Sequence, residues 1–301
     1  MKIDFQALPR LRDSLSYLYV EHAILEREAS AILVLQETGR TTVPVADLCV
    51  LLVGPGVTLT HAAVRLLAES GCSVVWAGQD ACGFYACGVG ETHSARHIIQ
   101  QARLVSYPQA RIKVVMRMYA QRFGYDLDPG WRIEQIRGME GARVRQAYAD
   151  ASRKFGVPWQ GRSLRRDDWD ANDPVNQALS AANAVLHGVC HAAIVSGGYS
   201  PALGFLHTGW HLAFVYDIAD LYKVNLTVPV AFGTVAESGS KVVSRAREAC
   251  REAIREQKLL ERILPDIARL LDTPEEVENL AQEQGKQVYE WWDCSESELE
   301  P

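Results

Sequence analysis

Apolar residues fall in short, strand-like runs over the first 93 residues and recur every three or four residues after that. The runs LSYLYVEHAIL, AILVLQE, TTVPVADLCVLLV, CSVVWAG and CGFYACG are rich in β-branched and aromatic residues, with turn signals such as ETGR and GPG between them. They predict short strands. One segment in this region, THAAVRLLAESG, has helical spacing, with Thr60 placed to cap it and Gly71 to end it. From Ser94 the period changes. SARHIIQQARLVSY, QARIKVVMRMYAQRFG, WRIEQIRGMEGARVRQAYADASRKFG, PVNQALSAANAVLHGVCHAAIVSGGY and SRAREACREAIREQKLLERILPDIARLLD all predict helices. The expected fold class is α+β: a small N-terminal β-rich domain (residues 1–93), a larger all-α domain (94–271) and an acidic tail (272–301). No internal repeat is visible.

Charge changes this picture. The net charge is −6, yet ten acidic residues and one lysine from Asp272 onward leave residues 1–271 at +3. Between Ala95 and Asp170, fifteen Lys or Arg face eight Asp or Glu. An acidic tail hides a basic body suited to a polyanion. The seven cysteines are odd in number and irregularly spaced, as expected of reduced thiols rather than a disulfide framework. No apolar run is expected to span a membrane, and the start, MKIDFQALPRLRD, lacks an apolar signal core, so the expected location is cytoplasmic.

Within this frame one stretch stands out. HTGWHLAFVYDIADLYK places Asp217 and Asp220 three residues apart in an apolar run, so at helical pitch they share a face, which Lys223 continues one turn on. Unpaired carboxylates are costly to take out of water, and adjacent ones repel. A lysine, another cation or a metal ion would offset them.

Further candidates lie elsewhere in the chain. RGMEGARVR puts Glu140 between Gly138 and Gly141 on a helix, where each glycine costs up to about 1 kcal/mol relative to alanine. Either a backbone or ligand approaches closely beside the carboxylate, or two helices simply cross there. Arg137, Arg143 and Arg145 mark an anion neighbourhood. His207, Asp217, Asp220 and Glu140 form a mixed N/O set suited to Mg2+ or Mn2+, though spacing alone does not bring them together. Cys82, Cys87, His93 and His97 imitate a zinc pattern, but Cys82 and Cys87 are an odd number apart and face opposite sides of a strand. His187 and His191 lack the glutamate of a zinc-protease helix and read as packing or nucleic-acid contacts. Phosphate-binding glycine loops and serine-hydrolase elbows are absent.

Four segments together carry a resemblance: GVTLTHAAVRLLAESGCSVVWAG, IRGMEGARVRQAYA, NQALSAANAVLHGVCHAAIVSGGYSPALGFLHTG and FVYDIADLYK. From about Leu8 to Leu271 the chain resembles the CRISPR-associated integrase, the larger protein of the spacer-acquisition pair, with subtype I-E most similar. The resemblance implies an N-terminal β domain for dimerisation and contacts to DNA ends, and an α-helical metal-dependent catalytic domain. It implies Glu140, His207 and Asp220 as ligands of Mg2+ or Mn2+, Asp217 as an auxiliary acid, and Lys223 as a cation near the scissile phosphate. It also implies Arg65, Arg137 and Arg247 as basic residues against DNA. His22 and His187 stand where relatives have tyrosine, and Thr58, Phe84 and Trp210 where relatives have basic residues.

The implied reaction is capture of short duplex DNA (prespacers) and its insertion at the leader-proximal repeat by metal-dependent attack of a 3′-hydroxyl. Endonuclease activity accompanies it. One phosphodiester replaces another, so no ATP is required, in keeping with the missing phosphate loop. The implied assembly is two homodimers bridged by a dimer of a small ferredoxin-like partner, bound to prespacer and leader–repeat DNA, with no membrane. Two rival readings are a stand-alone metal-dependent, structure-specific nuclease in repair and a non-catalytic DNA-holding scaffold. The tail, with Tyr289, Trp291 and Trp292 amid acids, reads either as a solubilising end or as a peptide that orders on the partner or on this protein's own basic cleft.

Overall fold

The computed structural model describes residues 17–48, 50–78, 84–88, 95–128, 130–163 and 173–272. All of its strands lie between Tyr17 and Gly88: β1 (Tyr17–Val20), β2 (Ile24–Glu28), β3 (Ala31–Gln36), β4 (Gly39–Pro44), β5 (Val50–Val53), β6 (Thr58–Leu59), β7 (Ser73–Ala77) and β8 (Phe84–Gly88). They form two four-stranded sheets. One has the order β1-β5-β7-β8, parallel except for β8; the other is β4-β3-β2-β6, antiparallel except for the β2–β6 pair.

Two predicted runs prove to be two strands each. LSYLYVEHAIL breaks at residues 21–23 because β1 pairs with β5 while β2 pairs with β3. TTVPVADLCVLLV breaks at a 3₁₀ turn, Val45–Asp47, that carries the chain from one sheet to the other. At the first break His22 takes φ +47 and donates its backbone N–H to the Pro55 carbonyl at 2.9 Å. Gly56 is required beside it, since it has φ +70 and a Cβ there would stand 2.5 Å from the His22 ring.

The helix predicted in the β region is α1 (His61–Glu69), with the Thr60 hydroxyl accepting the Ala63 N–H as its cap and Gly71 at φ +70 beyond its end. The remaining helices are α2 (Arg96–Ser106), α3 (Pro108–Phe123), α4 (Ile133–Phe155), α5 (Pro174–Ser196), α6 (Ala213–Glu237), α7 (Val242–Glu256) and α8 (Leu259–Leu271). The last predicted helical run is two helices, parted where Lys258 adopts φ +49.

Strand β5, VLLV, is buried on both faces, as a strand between two layers must be. Leu51 and Val53 join Leu25, Ile32 and Leu67 in the core between the sheets and α1, while Val50 and Leu52 turn the other way onto Ala192 of α5. Helix α5 thereby joins the strand-bearing part to the helical part, where it packs on α6 and α7. It also corrects one expectation: α5 is long and apolar enough by length and composition to cross a membrane. Most of it is buried inside this protein, at the centre of the core. The zinc-like Cys82 and His93, and the tail from residue 273, lie outside the described residues.

Candidate functional site

The site forms where the loop between α5 and α6 runs back over the first turns of α6. Gly204 makes the fold of this loop possible: it is buried, and a Cβ on it would lie 2.3 Å from the His207 carbonyl and 2.8 Å from Ala213. Pro201 accepts the Phe214 N–H at 2.8 Å, which ties the loop to the start of α6.

Asp217 then faces three consecutive backbone N–H groups of the loop. Its Oδ2 accepts from Phe205 at 2.5 Å and Leu206 at 3.0 Å, and its Oδ1 from His207 at 2.9 Å. The His207 ring adds a fourth bond, Nδ1 to Oδ1 at 2.7 Å. With four donors the carboxylate is saturated, and it is fully buried. This is how an aspartate sits in so apolar a run, and it corrects the expectation that Lys223 helps to offset its charge. Lys223 Nζ lies 3.5 Å from Asp220 instead.

The bond to Asp217 assigns the proton to Nδ1 of His207 and leaves Nε2 as the free lone pair. That hydrogen bond, more than the charges of Asp217 and Asp220, raises the pKa of His207 against the opposing effect of burial. The ring lies edge-on to Tyr216 at 5.8 Å between centroids, and Tyr216 meets the His187 ring at 5.0 Å from α5. Burial, and then the Lys223 charge, push the His187 pKa down to about 4, so this histidine is neutral near pH 7.

Helix α3 supplies a residue that sequence reasoning missed. The Arg122 guanidinium, with its side chain 5% exposed, lies between two carboxylates: Nη1 is 3.7 Å from Glu140 and Nη2 3.5 Å from Asp220. Nη2 also donates to the Asp217 carbonyl at 3.4 Å, while Nε is buried with no acceptor. The signal was present: Val115, Met118, Tyr119 and Arg122 share one helical face, so an arginine continues a buried apolar stripe. Glu140 is held by a second arginine as well, Arg143, through Nε at 2.8 Å and Nη2 at 3.0 Å.

The two glycines flanking Glu140 are not explained by helix crossing. A Cβ on Gly138 would meet nothing within 4 Å, and one on Gly141 only the tip of Arg145 at 3.4 Å.

The structure thus brings Glu140, His207, Asp217, Asp220, Lys223 and His187 into one neighbourhood. Arg137 is exposed on α4, one turn before Glu140. Arg65 is exposed on α1 and paired with Glu69 at 2.6 Å; His22 is exposed at the β1–β2 connection; Arg247 is half-buried on α7 with Nε lacking an acceptor. Thr58 stands in β6, Phe84 at the start of β8, and Trp210 is 68% exposed three residues after His207. His97 stacks on Tyr199 and bonds the Gly197 carbonyl at 2.6 Å.

Among the described residues, no three His, Cys, Asp or Glu side chains stand ready as a ligand set for one ion, and arginines lie against Glu140 and Asp220. The donor chemistry nevertheless fits a hard divalent cation. One imidazole nitrogen is fixed outward by a buried carboxylate, and two further carboxylates share a buried guanidinium whose Nε has no partner. A cation already stands between Glu140 and Asp220.

The model of the family CRISPR associated protein Cas1 matches residues 16–125 and 120–241. The CRISPR-associated endonuclease Cas1 2 of Thermus thermophilus is 56% identical over 276 residues, covering 91% of this chain and 85% of that protein. The CRISPR-associated endonuclease Cas1 of a Clostridium species is 41% identical over 271 residues, covering 89% of this chain and 90% of that protein. A crystal structure of a TtCas1–DNA complex superposes with a TM-score of 0.78 at 56% identity, covering 88% of this chain and 99% of that one.

Proposed function

Because this chain belongs to the Cas1 family of CRISPR-associated proteins, we propose that it is a spacer-acquisition integrase of the I-E type with DNA endonuclease activity. Its substrate is short duplex DNA, inserted at the leader-proximal repeat. The observation that carries this reading is His207, pinned through Nδ1 by a saturated and buried Asp217, on a site where Glu140 and Asp220 share one buried guanidinium, that of Arg122. Support also comes from relatives named as endonucleases and from a similar chain crystallised with DNA.

Glu140, His207 and Asp220 would hold Mg2+ or Mn2+. When bound, such an ion supplies Lewis-acid stabilisation of the charge that develops on phosphodiester oxygens. The chain's own residues do the rest. Asp217 holds the His207 ring in one tautomer and orientation. Lys223, next to Asp220, presents an ammonium to an approaching phosphate. In the transfer, a 3′-oxygen loses its proton and bonds to phosphorus, the bond from phosphorus to the leaving oxygen breaks, and that oxygen gains a proton.

The strand-bearing residues 1–93 serve dimerisation and DNA ends, residues 94–271 carry the chemistry, and 272–301 form a tail. His22, Arg65, Arg137, His187 and Arg247 line the DNA path. The working assembly is two homodimers bridged by a dimer of a small ferredoxin-like partner, in the cytoplasm.

The test is joining of a labelled 3′-hydroxyl duplex to leader–repeat DNA, with Mn2+ and with EDTA, by the wild type and by Glu140→Ala, His207→Ala and Asp220→Ala. Joining should need the metal and vanish in all three variants, with duplex binding largely kept. A His207→Ala protein that joins at the normal rate would refute the assignment. Cleavage without joining would indicate the stand-alone nuclease, and binding without either would indicate the scaffold.

A further inference from the structure

The two arginines on Glu140 differ in a way that assigns them different tasks. Arg122 is enclosed: its side chain is 5% exposed, its guanidinium rests 5.5 Å from the Tyr119 ring centroid, and both its carboxylate contacts are long, at 3.5 and 3.7 Å. A buried guanidinium has no alternative partner to move to, so it stays. Arg143 is one quarter exposed, lies over the Phe123 ring at 5.9 Å from its centroid, and grips both oxygens of Glu140 through a two-bond fork. That fork takes up the carboxylate that a metal ion would need. It also belongs to the side chain best matched to phosphate, with the same planar pair of donors.

We propose that Arg143 is an exchangeable counter-ion: it closes Glu140 against a divalent cation in the DNA-free protein and moves to a DNA phosphate when duplex binds, which opens the carboxylate. Arg122 is the fixed positioning residue that keeps Glu140 and Asp220 facing one another while this exchange occurs. Metal and DNA affinity are then linked through one side chain, and by reciprocity each ligand strengthens the other. Cation binding, and with it cleavage, is held back until a substrate phosphate is in place. The proposal rests on the metal reading above.

The experiment is calorimetric titration of the full-length protein with Mn2+, alone and with saturating blunt duplex, with the Mn2+–DNA heat subtracted. Wild type, Arg143→Gln, Arg143→Lys and Arg153→Gln are compared; the last removes an equal charge on the same helix, from an exposed side chain paired with Asp150 rather than with Glu140. Without DNA, Arg143→Gln should bind Mn2+ at least about fivefold more tightly than wild type, with Arg143→Lys in between and Arg153→Gln near wild type. DNA should tighten Mn2+ binding in the wild type and do so much less in Arg143→Gln. Equal Mn2+ affinity in Arg143→Gln and wild type, or equal gains in the two Gln variants, would overturn the exchange and leave the metal reading intact. Absence of Mn2+ binding by every protein, with or without DNA, would overturn both.

Discussion

Replacing Asp217 by asparagine should destabilise the protein severely, whereas the same change at Asp220 should leave stability almost untouched while abolishing activity. Asp217 is fully buried and accepts four hydrogen bonds, three from successive backbone N–H groups and one from His207. An asparagine keeps one acceptor oxygen and turns an NH2 group towards two of those donors. Two hydrogen bonds to a charged group are lost, at about 1.5–3 kcal/mol each, so the expected cost is about 3–6 kcal/mol. The His207 ring loses its anchor as well, and Mn2+ affinity should fall about 10–100-fold. Asp220 is about one quarter exposed and its cations stand at 3.5 Å, so Asp220→Asn should change stability by less than about 1 kcal/mol. Urea unfolding followed by circular dichroism measures the first quantity, and Mn2+ titration with a strand-joining assay the second. If both variants lost the same stability, or if Asp217→Asn cost under about 1 kcal/mol, the buried-anchor reasoning would fail.

Gly204→Ala should cost about 1–3 kcal/mol and displace His207, because the added methyl would meet the His207 carbonyl at 2.3 Å; a strand-joining rate equal to wild type would contradict this. The protein should lose stability as pH falls from about 6.5 towards 4. Burial depresses the His191 pKa to about 4, so the unfolded chain takes up a proton there before the native one does. The loss from this residue is roughly 3 kcal/mol, and His191→Gln should flatten that part of a melting-temperature profile. An unchanged profile in His191→Gln would exclude this contribution. Affinity for duplex DNA should fall steeply with salt, and Arg65→Ala or Arg247→Ala should each reduce the log–log slope by about 1 in fluorescence anisotropy; unchanged slopes in both would put the DNA path elsewhere.

Much of this protein was legible in its sequence, because hydrophobic period is a local property. Alternation in AILVLQ, the Thr60 cap and the three- and four-residue spacing after Ser94 depend only on neighbours within one or two turns, and the elements they predict are present. Asp217 and Asp220 could be singled out for the same reason, as charges in an apolar stripe. Partner identity is not local. LSYLYVEHAIL had to break because its two halves pair with different strands, and Pro174–Ser196, apolar enough for a membrane, became a core helix because sheet and helices cover it. The solution to the buried aspartate lay in three amides ten to twelve residues upstream that face it only once the loop folds over α6. Arg122, eighteen residues from Glu140 and ninety-eight from Asp220, meets both only when α3, α4 and α6 pack together. Which charge offsets which is set by distance in space, and that distance exists only in the tertiary structure.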